Sequence, residues 1–463
     1  MPKSSNLNRT LGLSSVIVIV VSNVLGSGVY KKVAPIASEL NSSAWVIIAW
    51  IAAGIITLFG ALCNAEIAGL LSDTGGEYNY YKKIYNKFFA FIFGWSLFAV
   101  IQTAAIASVA YVFGQSLSNL LSMPLLFPTL QKFSIGGLFF PFENFSVKFL
   151  TILIIIILSW VNSRGVKSSA NFSNFLLGTV LLGLGLIIIF GFGSSVSNVS
   201  QSFNFNLGKS TVSISTFFTA MLAAFWAYQG WASIGYIGGE VKNPKINIPK
   251  GITIGVFVVI FIYVIVNVTY LSILTIPELK NIYNNGNQIA AVAVMEKILG
   301  SYGVIFISIL ILLTTLGCTH VTIMASSRTY YAMAQEKLFF ASVGKLNKNS
   351  VPGNSLLFQC VWASILVLTG SFDQLTDMTI FAIFIYYGST AFGVFILRKK
   401  MPNAERPYKV WGYPFVPILF ILFCIVLFGN TIITRPREAI LGLVLMSTGV
   451  PMYYWFNRKT NNN

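Results

Sequence analysis

The sequence predicts an all-α membrane protein with twelve transmembrane helices, and three observations support this fold class. Of the 463 residues, 56% are hydrophobic and only 9% are charged, whereas soluble proteins carry about 25% charged residues. The stretch 45–71 holds a single charge, Glu66, and the stretch 251–274 holds none. About 20 apolar residues span a bilayer. This composition excludes soluble enzymes, secreted scaffolds and nucleic-acid-binding proteins.

Twelve apolar segments follow one another along the chain and leave little sequence for a soluble domain. The predicted organisation is a tail at 1–10, a first five-helix repeat at 11–193, an inverted second repeat at 212–397, two further helices at 413–456 and a tail at 457–463. The segments have the approximate limits 11–40, 44–71, 88–120, 147–163, 170–193, 212–238, 250–274, 300–327, 354–371, 376–397, 413–433 and 438–456.

Basic residues predict the orientation in the membrane. An even number of spans places both termini on one side. If that side is the cytoplasm, the inner segments hold 21 of the 30 Lys and Arg residues and the outer segments hold the other 9. Cytoplasmic loops are enriched in Lys and Arg, so both termini are predicted to be cytoplasmic, in the cell inner (cytoplasmic) membrane. This bias also explains most of the net charge of +17 without nucleic acid.

Two spans contain residues that break helices. Gly26-Ser27-Gly28 interrupts the first span, and the stretch 227–231, Ala-Tyr-Gln-Gly-Trp, interrupts the sixth. Glycine inside a helix costs about 1 kcal/mol relative to alanine, and matching breaks in two halves of a chain indicate a transporter binding site. Because the first and sixth spans correspond in two five-span repeats, the second repeat is predicted to be inverted. The alternative is that the glycines only let helices pack closely.

The broken spans have the chemistry to bind an α-amino acid. A half-helix that starts at Gly26 to Gly28 points free amides and its positive dipole end at a carboxylate, and Ser27 adds a hydroxyl. Carbonyls near Val24 and Leu25, with a second set around Trp226 and Ala227, would accept from an ammonium group. The aromatic walls of this site are predicted to be Trp226, Tyr228 and Trp231.

Several motifs together resemble the amino acid–polyamine–organocation permeases, in particular the L-type amino acid transporter group. The resemblance covers nearly the whole chain. The motifs are Gly26-Ser27-Gly28-Val29-Tyr30, Gly75-Gly76-Glu77-Tyr78, Gly165-Val166-Lys167, the break at 227–231, the stretch 239–249 with Asn243-Pro244 and Ile248-Pro249, Ser327-Arg328 with 331–334, and Arg406-Pro407-Tyr408-Lys409-Val410.

This resemblance implies the leucine-transporter fold and a secondary active transporter of small neutral L-amino acids that works by alternating access, as an exchanger or a cation-coupled importer. It implies that Gly26, Ser27 and Gly28 bind the substrate carboxylate and that carbonyls of Val24, Trp226 and Gln229 hold the ammonium. An amino-acid sensor or a channel without active transport is the alternative function. The predicted substrate site therefore comprises Val24, Gly26, Ser27, Gly28, Trp226, Ala227, Tyr228 and Gln229.

Coupling to an ion is left open by the sequence. Sodium-independent relatives resemble one another in a lysine on the fifth span, and Val180 stands at that position here. Candidate sodium ligands are the carbonyls of Ser22 and Leu25 and the hydroxyls of Thr319 and Thr322, although threonines in a membrane helix also bond their own backbone. The only histidine, His320, is a candidate proton carrier, and a neutral hydrogen-bonded histidine is the alternative.

Polar residues inside the spans admit two interpretations each. Glu66 is a functional candidate because intramembrane acids are costly, or it forms a structural ion pair. Lys31 and Lys32 directly follow the first break, where they would attract an acidic substrate or replace the missing span-5 lysine. Alternatively they extend outward along the half-helix. Gln229 would narrow the pocket, contact a polar substrate, or bond a neighbouring helix.

The predicted partners are an amino-acid substrate and the lipid bilayer, with no nucleic acid and no cofactor apart from the open question of sodium or proton coupling. All four cysteines lie in apolar segments and are predicted to be buried small hydrophobes rather than metal ligands. None lies in a predicted external loop, so no disulfide-linked heavy chain is expected. The segment 73–87 is predicted to be an amphipathic cytoplasmic gate element rather than a span.

Overall fold

The computed structural model of this chain describes residue 9 and residues 11–72, 75–136, 139–164, 167–205, 212–285, 288–349 and 351–461, without the side chains of 167–175, 237, 240 and 459–461. Most of the predicted tail at 1–10 and the motif residues Gly165 and Val166 lie outside this part of the chain.

Helices account for nearly all of the described structure. A π-helical turn, Leu97–Ile101, joins α6 to α7, and 3₁₀ segments cover Pro128–Leu130, Trp231–Glu240 and Ala341–Gly344. The α-helices in chain order are α1 (Leu13–Val24), α2 (Gly28–Lys31), α3 (Val33–Leu40), α4 (Ser43–Leu70), α5 (Gly76–Ile84), α6 (Lys87–Ser96), α7 (Gln102–Leu120), α8 (Phe145–Asn162), α9 (Lys167–Gly193), α10 (Val199–Ser202), α11 (Ile214–Tyr228), α12 (Pro244–Ile273), α13 (Ile276–Asn284), α14 (Ala290–Gln335), α15 (Gly353–Thr369), α16 (Phe372–Lys400), α17 (Phe415–Thr434), α18 (Pro436–Ser447) and α19 (Gly449–Asn461).

The twelve predicted spans are confirmed. Nine helices or joined helix pairs within the described residues are long and apolar enough to cross a membrane. The other three predicted spans are the first (α1 to α3), the sixth (α11 with the 3₁₀ segment) and the ninth (α15). The first and sixth consist of shorter helices because they are interrupted at the predicted glycines. The predicted gate element 73–87 contains the separate helix α5.

The helices pack in two groups whose membership matches the predicted inverted repeat. Spans one, two, six and seven form one group, in which α12 packs along α1 and α4, and α11 packs on α3 and α4. Spans three, four, eight and nine form the other, in which α7 packs on α8, α14 and α15. Corresponding spans of the two repeats therefore lie in the same group. The limits of the repeats themselves stay a prediction.

Glu66 forms an ion pair near one membrane face. We call the face at which α1 begins and α4 ends the N-terminal face, and the other the opposite face. The Glu66 carboxylate accepts from Arg398 Nε at 2.9 Å and Nη2 at 2.7 Å, and from the Val410 amide at 2.7 Å. A buried carboxylate is tolerated when such charge-assisted bonds surround it. Glu66 therefore forms the structural ion pair that was the second interpretation of this residue.

Candidate substrate site

The first span breaks where the sequence predicts. Helix α1 ends at Val24, and Leu25 has an extended backbone with φ −70° and ψ 91°. The helix resumes at Gly28, so its first amides have no partner inside the helix. A Cβ on Gly28 would lie 2.5 Å from the Cα of Ala227. Glycine is required at this position because the backbones of the two broken spans touch there.

The sixth span is interrupted by a different backbone conformation. Helix α11 ends at Tyr228, Gln229 is extended, and Gly230 has φ +120°, a left-handed conformation that side chains disfavour. A Cβ on Gly230 would also lie 2.7 Å from the carbonyl oxygen of Asn23. The chain continues as the 3₁₀ segment Trp231–Glu240. Both interruptions thus meet in the interior of the protein.

Side-chain hydrogen bonds join the two breaks. The Asn23 amide nitrogen donates to the carbonyl oxygen of Gly230 at 2.8 Å and to the Ser233 hydroxyl at 2.7 Å. The Trp226 indole donates to the Ser27 hydroxyl at 3.3 Å. The sequence interpretation missed Asn23 and Ser233. The amide side chain of Asn23 in the last turn of an apolar helix could have indicated this contact, because polar groups in a membrane bind partners inside the protein.

Tyr263 on α12 connects carbonyl groups of both breaks. Its hydroxyl lies 2.8 Å from the Val24 carbonyl oxygen and 2.9 Å from that of Ala227. One phenolic proton serves one acceptor at a time, so two freed carbonyls face a single donor. This convergence of carbonyls has the form predicted for an ammonium site, and Tyr263 was missed.

The structure places only some of the carbonyls that the family resemblance implies at the proposed ammonium site. The carbonyl of Val24 faces Tyr263, whereas that of Trp226 accepts from the amide of Gln229 at 3.3 Å. Gln229 lines a small cavity of about 10 Å³ near Phe225 and Phe384. The structure therefore brings the carbonyl oxygens of Val24 and Ala227 together as the hydrogen-bond acceptors of the site.

Only one of the three predicted aromatic walls lies against Ser27. Trp226 does so, and it packs edge-on to Phe372 with ring centroids 6.1 Å apart. Tyr228 points to α4, where its hydroxyl donates to the Trp50 carbonyl at 3.1 Å. Trp231 packs on Tyr387 with centroids 4.7 Å apart. Trp226 and Phe372 thus form the aromatic side of the site.

The predicted ion-coupling residues surround only part of one cavity. Ser22 and Leu25 line a space of about 20 Å³, which is room for about one water. Its other walls include Thr314, Gly317 and the thiol-bearing Cys318. The remaining walls are aliphatic side chains, namely Leu176, Leu177, Val180, Leu313 and Val321.

This cavity does not have the donors of a sodium site. Sodium prefers several hard oxygen ligands, as other hard cations do. Thr319 is not among the lining residues, and the Thr322 hydroxyl donates to the Cys318 carbonyl at 2.8 Å. Val180, whose side chain has no polar group, also lies in the wall. Two hydroxyls line the cavity: that of Thr314 donates to the Leu310 carbonyl at 2.7 Å, and that of Ser22 is buried without a hydrogen-bond partner among the described residues. One unpaired hydroxyl is fewer oxygen ligands than a sodium ion takes, and the aliphatic side chains of the wall fit apolar packing better than they fit a cation.

His320 is buried against α8. Its Nδ1 lies 3.1 Å from the Asn162 side-chain nitrogen, which also donates to the His320 carbonyl at 3.3 Å. An amide nitrogen can only donate, so Nδ1 accepts and a neutral ring carries its proton on Nε2. The geometry is that of the hydrogen-bonded alternative.

Lys31 and Lys32 do not extend outward, so that expectation is wrong. Their exposed fractions are 2% and 1%, because the half-helix after the break enters the protein interior instead of following its surface. The Lys31 ammonium donates to the Gln115 side-chain oxygen at 2.8 Å, and the Lys32 ammonium pairs with Asp373 at 2.7 Å. Both ammonium groups lie 4.7 Å from the centroid of the Phe372 ring.

A polar cavity of about 240 Å³ lies beyond Lys32 toward the opposite face. We call it the vestibule. Within it, Arg435 lies 3.0 Å from a Glu39 oxygen and 3.6 Å from an Asp377 oxygen. Ion pairs thus join α3 and α16 to the turn between α17 and α18 across the opposite face. The charged residues that line the vestibule are Lys32, Glu39, Asp373, Asp377, Arg435 and Glu438.

The chain is similar to known amino acid transporters over nearly its whole length. The family model described as amino acid permease matches residues 11–456. The chain is 29% identical over 460 residues to the serine/threonine exchanger SteT of Bacillus subtilis (strain 168), covering 99% of each chain. It is 30% identical to the human large neutral amino acids transporter small subunit 2, covering 97% of this chain and 80% of that one. It is 28% identical to the human b(0,+)-type amino acid transporter 1, covering 98% and 89%.

Proposed function

The chain belongs to the amino acid permease family, and on that premise we propose that it exchanges small neutral L-amino acids across the cytoplasmic membrane by alternating access. The family consists of transporters rather than enzymes. The observation that carries the proposal is the convergence of the Val24 and Ala227 carbonyls on one hydroxyl, next to the amide end of α2. A zwitterion has the two opposite charges that these two features bind.

The substrate would replace contacts that the protein makes with itself. Its carboxylate would accept from the amides and hydroxyl around Ser27 and Gly28, where helix geometry leaves amides free. Its ammonium would take the place of the Tyr263 proton at the Val24 and Ala227 carbonyls. Trp226 would cover the substrate side chain. Since the two breaks touch at Gly28, they must separate to admit it.

Alternating access requires closure on both faces. On the opposite face, the Lys32–Asp373 and Arg435–Glu39 pairs join the half-helix of the first span to its neighbours. On the N-terminal face, Tyr78 donates to Glu336 at 2.8 Å, and Lys82 pairs with the same carboxylate. These contacts are the candidate gates. Opening one set while the other stays closed would expose the site to one side at a time.

The excess of basic residues in the inner segments supports a cytoplasmic location for both termini. No disulfide-linked heavy chain is proposed, because all four cysteines are buried in helices, namely Cys63, Cys318, Cys360 and Cys424.

Radiolabelled flux in proteoliposomes tests the proposed function. Vesicles loaded with unlabelled serine or threonine should accumulate labelled amino acid faster than empty vesicles, because an exchanger needs a substrate on each side. Binding without flux would instead identify a sensor. Flux that is as fast into empty vesicles as into loaded ones, without saturation, would identify a channel.

A further inference from the structure

Lys31 is a buried cation with no carboxylate in contact among the described residues. Its ammonium donates to the neutral Gln115 amide at 2.8 Å and lies over the Phe372 ring. Neighbouring Lys32 differs, because it pairs with Asp373 and also donates to Thr376 at 2.8 Å. An amide and an aromatic face compensate a buried charge less than a carboxylate does. Lys31 is therefore the incompletely neutralised member of the pair.

Lys31 also lies on the same side of the half-helix as the proposed substrate site. It follows Ser27 by four residues, and side chains at that spacing share one helix face. Ser27 accepts from Trp226, the Trp226 ring packs on Phe372, and Phe372 lies under the Lys31 ammonium. The ammonium is thus one helical turn from the hydroxyl proposed to bind the α-carboxylate, across the aromatic side of the site.

We propose that Lys31 binds the side-chain carboxylate of an acidic amino-acid substrate, aspartate or glutamate, whose α-groups are held at the two breaks. This inference rests on the proposed function and extends the substrates beyond small neutral amino acids. A carboxylate at this position replaces the neutral Gln115 partner with an opposite charge, and the membrane interior strengthens that attraction. Neutral substrates leave Lys31 on Gln115 and bind by their α-groups alone.

Isosteric substrate pairs in proteoliposomes test the inference. Exchange is measured with labelled glutamate and glutamine, and with aspartate and asparagine, so that each pair differs only in the side-chain charge. The wild-type protein should exchange the acidic member of at least one pair. The substitution Lys31→Met should lower kcat/KM for that acidic substrate by at least about 10-fold, as expected when a charge-assisted bond is lost. It should change kcat/KM for the matching amide substrate, glutamine or asparagine, by less than about 3-fold. Lys31→Arg should retain part of the acidic exchange.

A second buried lysine provides the matched control. Lys148 on α8 is 3% exposed, and its ammonium donates to the carbonyl oxygens of Phe140 and Leu368. Lys148→Met should change acidic and neutral exchange by the same factor. Inhibition of glutamine uptake by unlabelled glutamate in the wild-type protein gives a measurement that needs no folded variant.

Three outcomes would overturn the inference. They are equal losses for both substrates in Lys31→Met, unchanged acidic exchange in that variant, and a wild-type protein that exchanges glutamine while glutamate neither enters nor inhibits. The last outcome leaves the proposed function standing. If the wild-type protein exchanges no amino acid, neutral or acidic, the proposed function itself fails.

Discussion

The hydroxyl of Tyr263 lies 2.8 Å from the carbonyl oxygen of Val24, the residue at which the first half-helix ends. A break in a membrane helix leaves main-chain acceptors that neither lipid nor the helix can satisfy. A side chain from the seventh span, Tyr263, supplies the missing donor. The tyrosine hydroxyl thus stabilises the break.

Removing this hydroxyl should destabilise the empty transporter more than the occupied one. In Tyr263→Phe, the carbonyls of Val24 and Ala227 lose their donor, at a cost of about 1–3 kcal/mol for an unsatisfied buried group. The ammonium group of a bound substrate would again donate hydrogen bonds to these carbonyls. We expect a lower melting temperature in detergent without substrate and a larger rise on adding substrate than the wild type shows.

Tyr270 provides the control on the same helix. It is buried, and its hydroxyl has no hydrogen-bond partner among the described residues, so Tyr270→Phe should leave the melting temperature nearly unchanged. Equal melting temperatures for Tyr263→Phe and the wild type without substrate would contradict the role given to Tyr263.

Adding a single methyl group at the contact of the two breaks should stop transport. In Gly28→Ala, the new Cβ would meet the Ala227 backbone at 2.5 Å, and overpacking typically costs about 1–3 kcal/mol. The two spans would be forced apart where the carboxylate is proposed to bind. We expect exchange to fall by at least about 10-fold, measured as labelled uptake into loaded proteoliposomes. Gly185→Ala is the control, since no atom lies within 4 Å of its added Cβ. We expect this variant to take up labelled amino acid at the wild-type rate.

The breaks and the spans were predictable from the sequence, because glycine and hydropathy act locally. Gly26, Gly28 and Gly230 mark the interruptions by their residue type alone. The partners were not predictable in the same way. Tyr263 reaches Val24 across 239 residues of sequence, and no local pattern distinguishes it from the other tyrosines of the spans.

The orientation of Lys31 and Lys32 was beyond local reasoning for a related physical reason. A lysine near the end of a lone membrane helix lowers its free energy by reaching water. In this fold the half-helix is enclosed by α11, α14 and α16, and Phe372, Gln115 and Asp373 supply internal partners. Tertiary packing therefore decided between the two interpretations.

Exchange should not depend on sodium. The cavity next to Ser22 and Leu25 has room for about one water and is walled largely by Leu, Val and Cys side chains, which are poor ligands for a hard cation. Replacing sodium by choline on both sides of the vesicle should change exchange by less than about 2-fold, within the ±0.5 kcal/mol typical of changes away from specific contacts. A loss of most uptake in choline would show that a cation binds elsewhere or that this cavity rearranges.

The buried ion pair of the vestibule should couple more strongly than an exposed one. Lys32 is 1% exposed and Asp373 is 28% exposed. Lys32→Met and Asp373→Asn each remove one charge of the pair, and leaving a buried charge such as that of Lys32 uncompensated costs several kcal/mol. The double variant should therefore melt closer to the wild type than the sum of the two losses predicts. The same cycle at the exposed pair Lys297 and Glu278 should be nearly additive, since such pairs contribute about 0–1 kcal/mol. Additive losses at Lys32 and Asp373 would contradict a coupled gate.

Glu77 on α5 should make the N-terminal gate sensitive to pH. Its carboxyl is 1% exposed, with the Asn64 amide at 3.4 Å, and burial raises its pKa from 4.5 to about 7, although a hydrogen bond with Tyr236 lowers it. The neutral form suits the closed gate. If opening hydrates the carboxyl, its pKa returns toward 4.5 and opening releases a proton.

The sign of this dependence follows from the raised pKa. The stabilisation of the closed gate by neutral Glu77 is complete below about pH 4.5 and is lost as the pH rises through about 7. Exchange should therefore become faster as the pH on the N-terminal side rises from 5 to 7, and then level off. Glu77→Gln, which cannot ionise, should flatten this profile, whereas the exposed Glu405→Gln on the same face should leave it unchanged. A profile that stays steep in Glu77→Gln would assign the titration to another group.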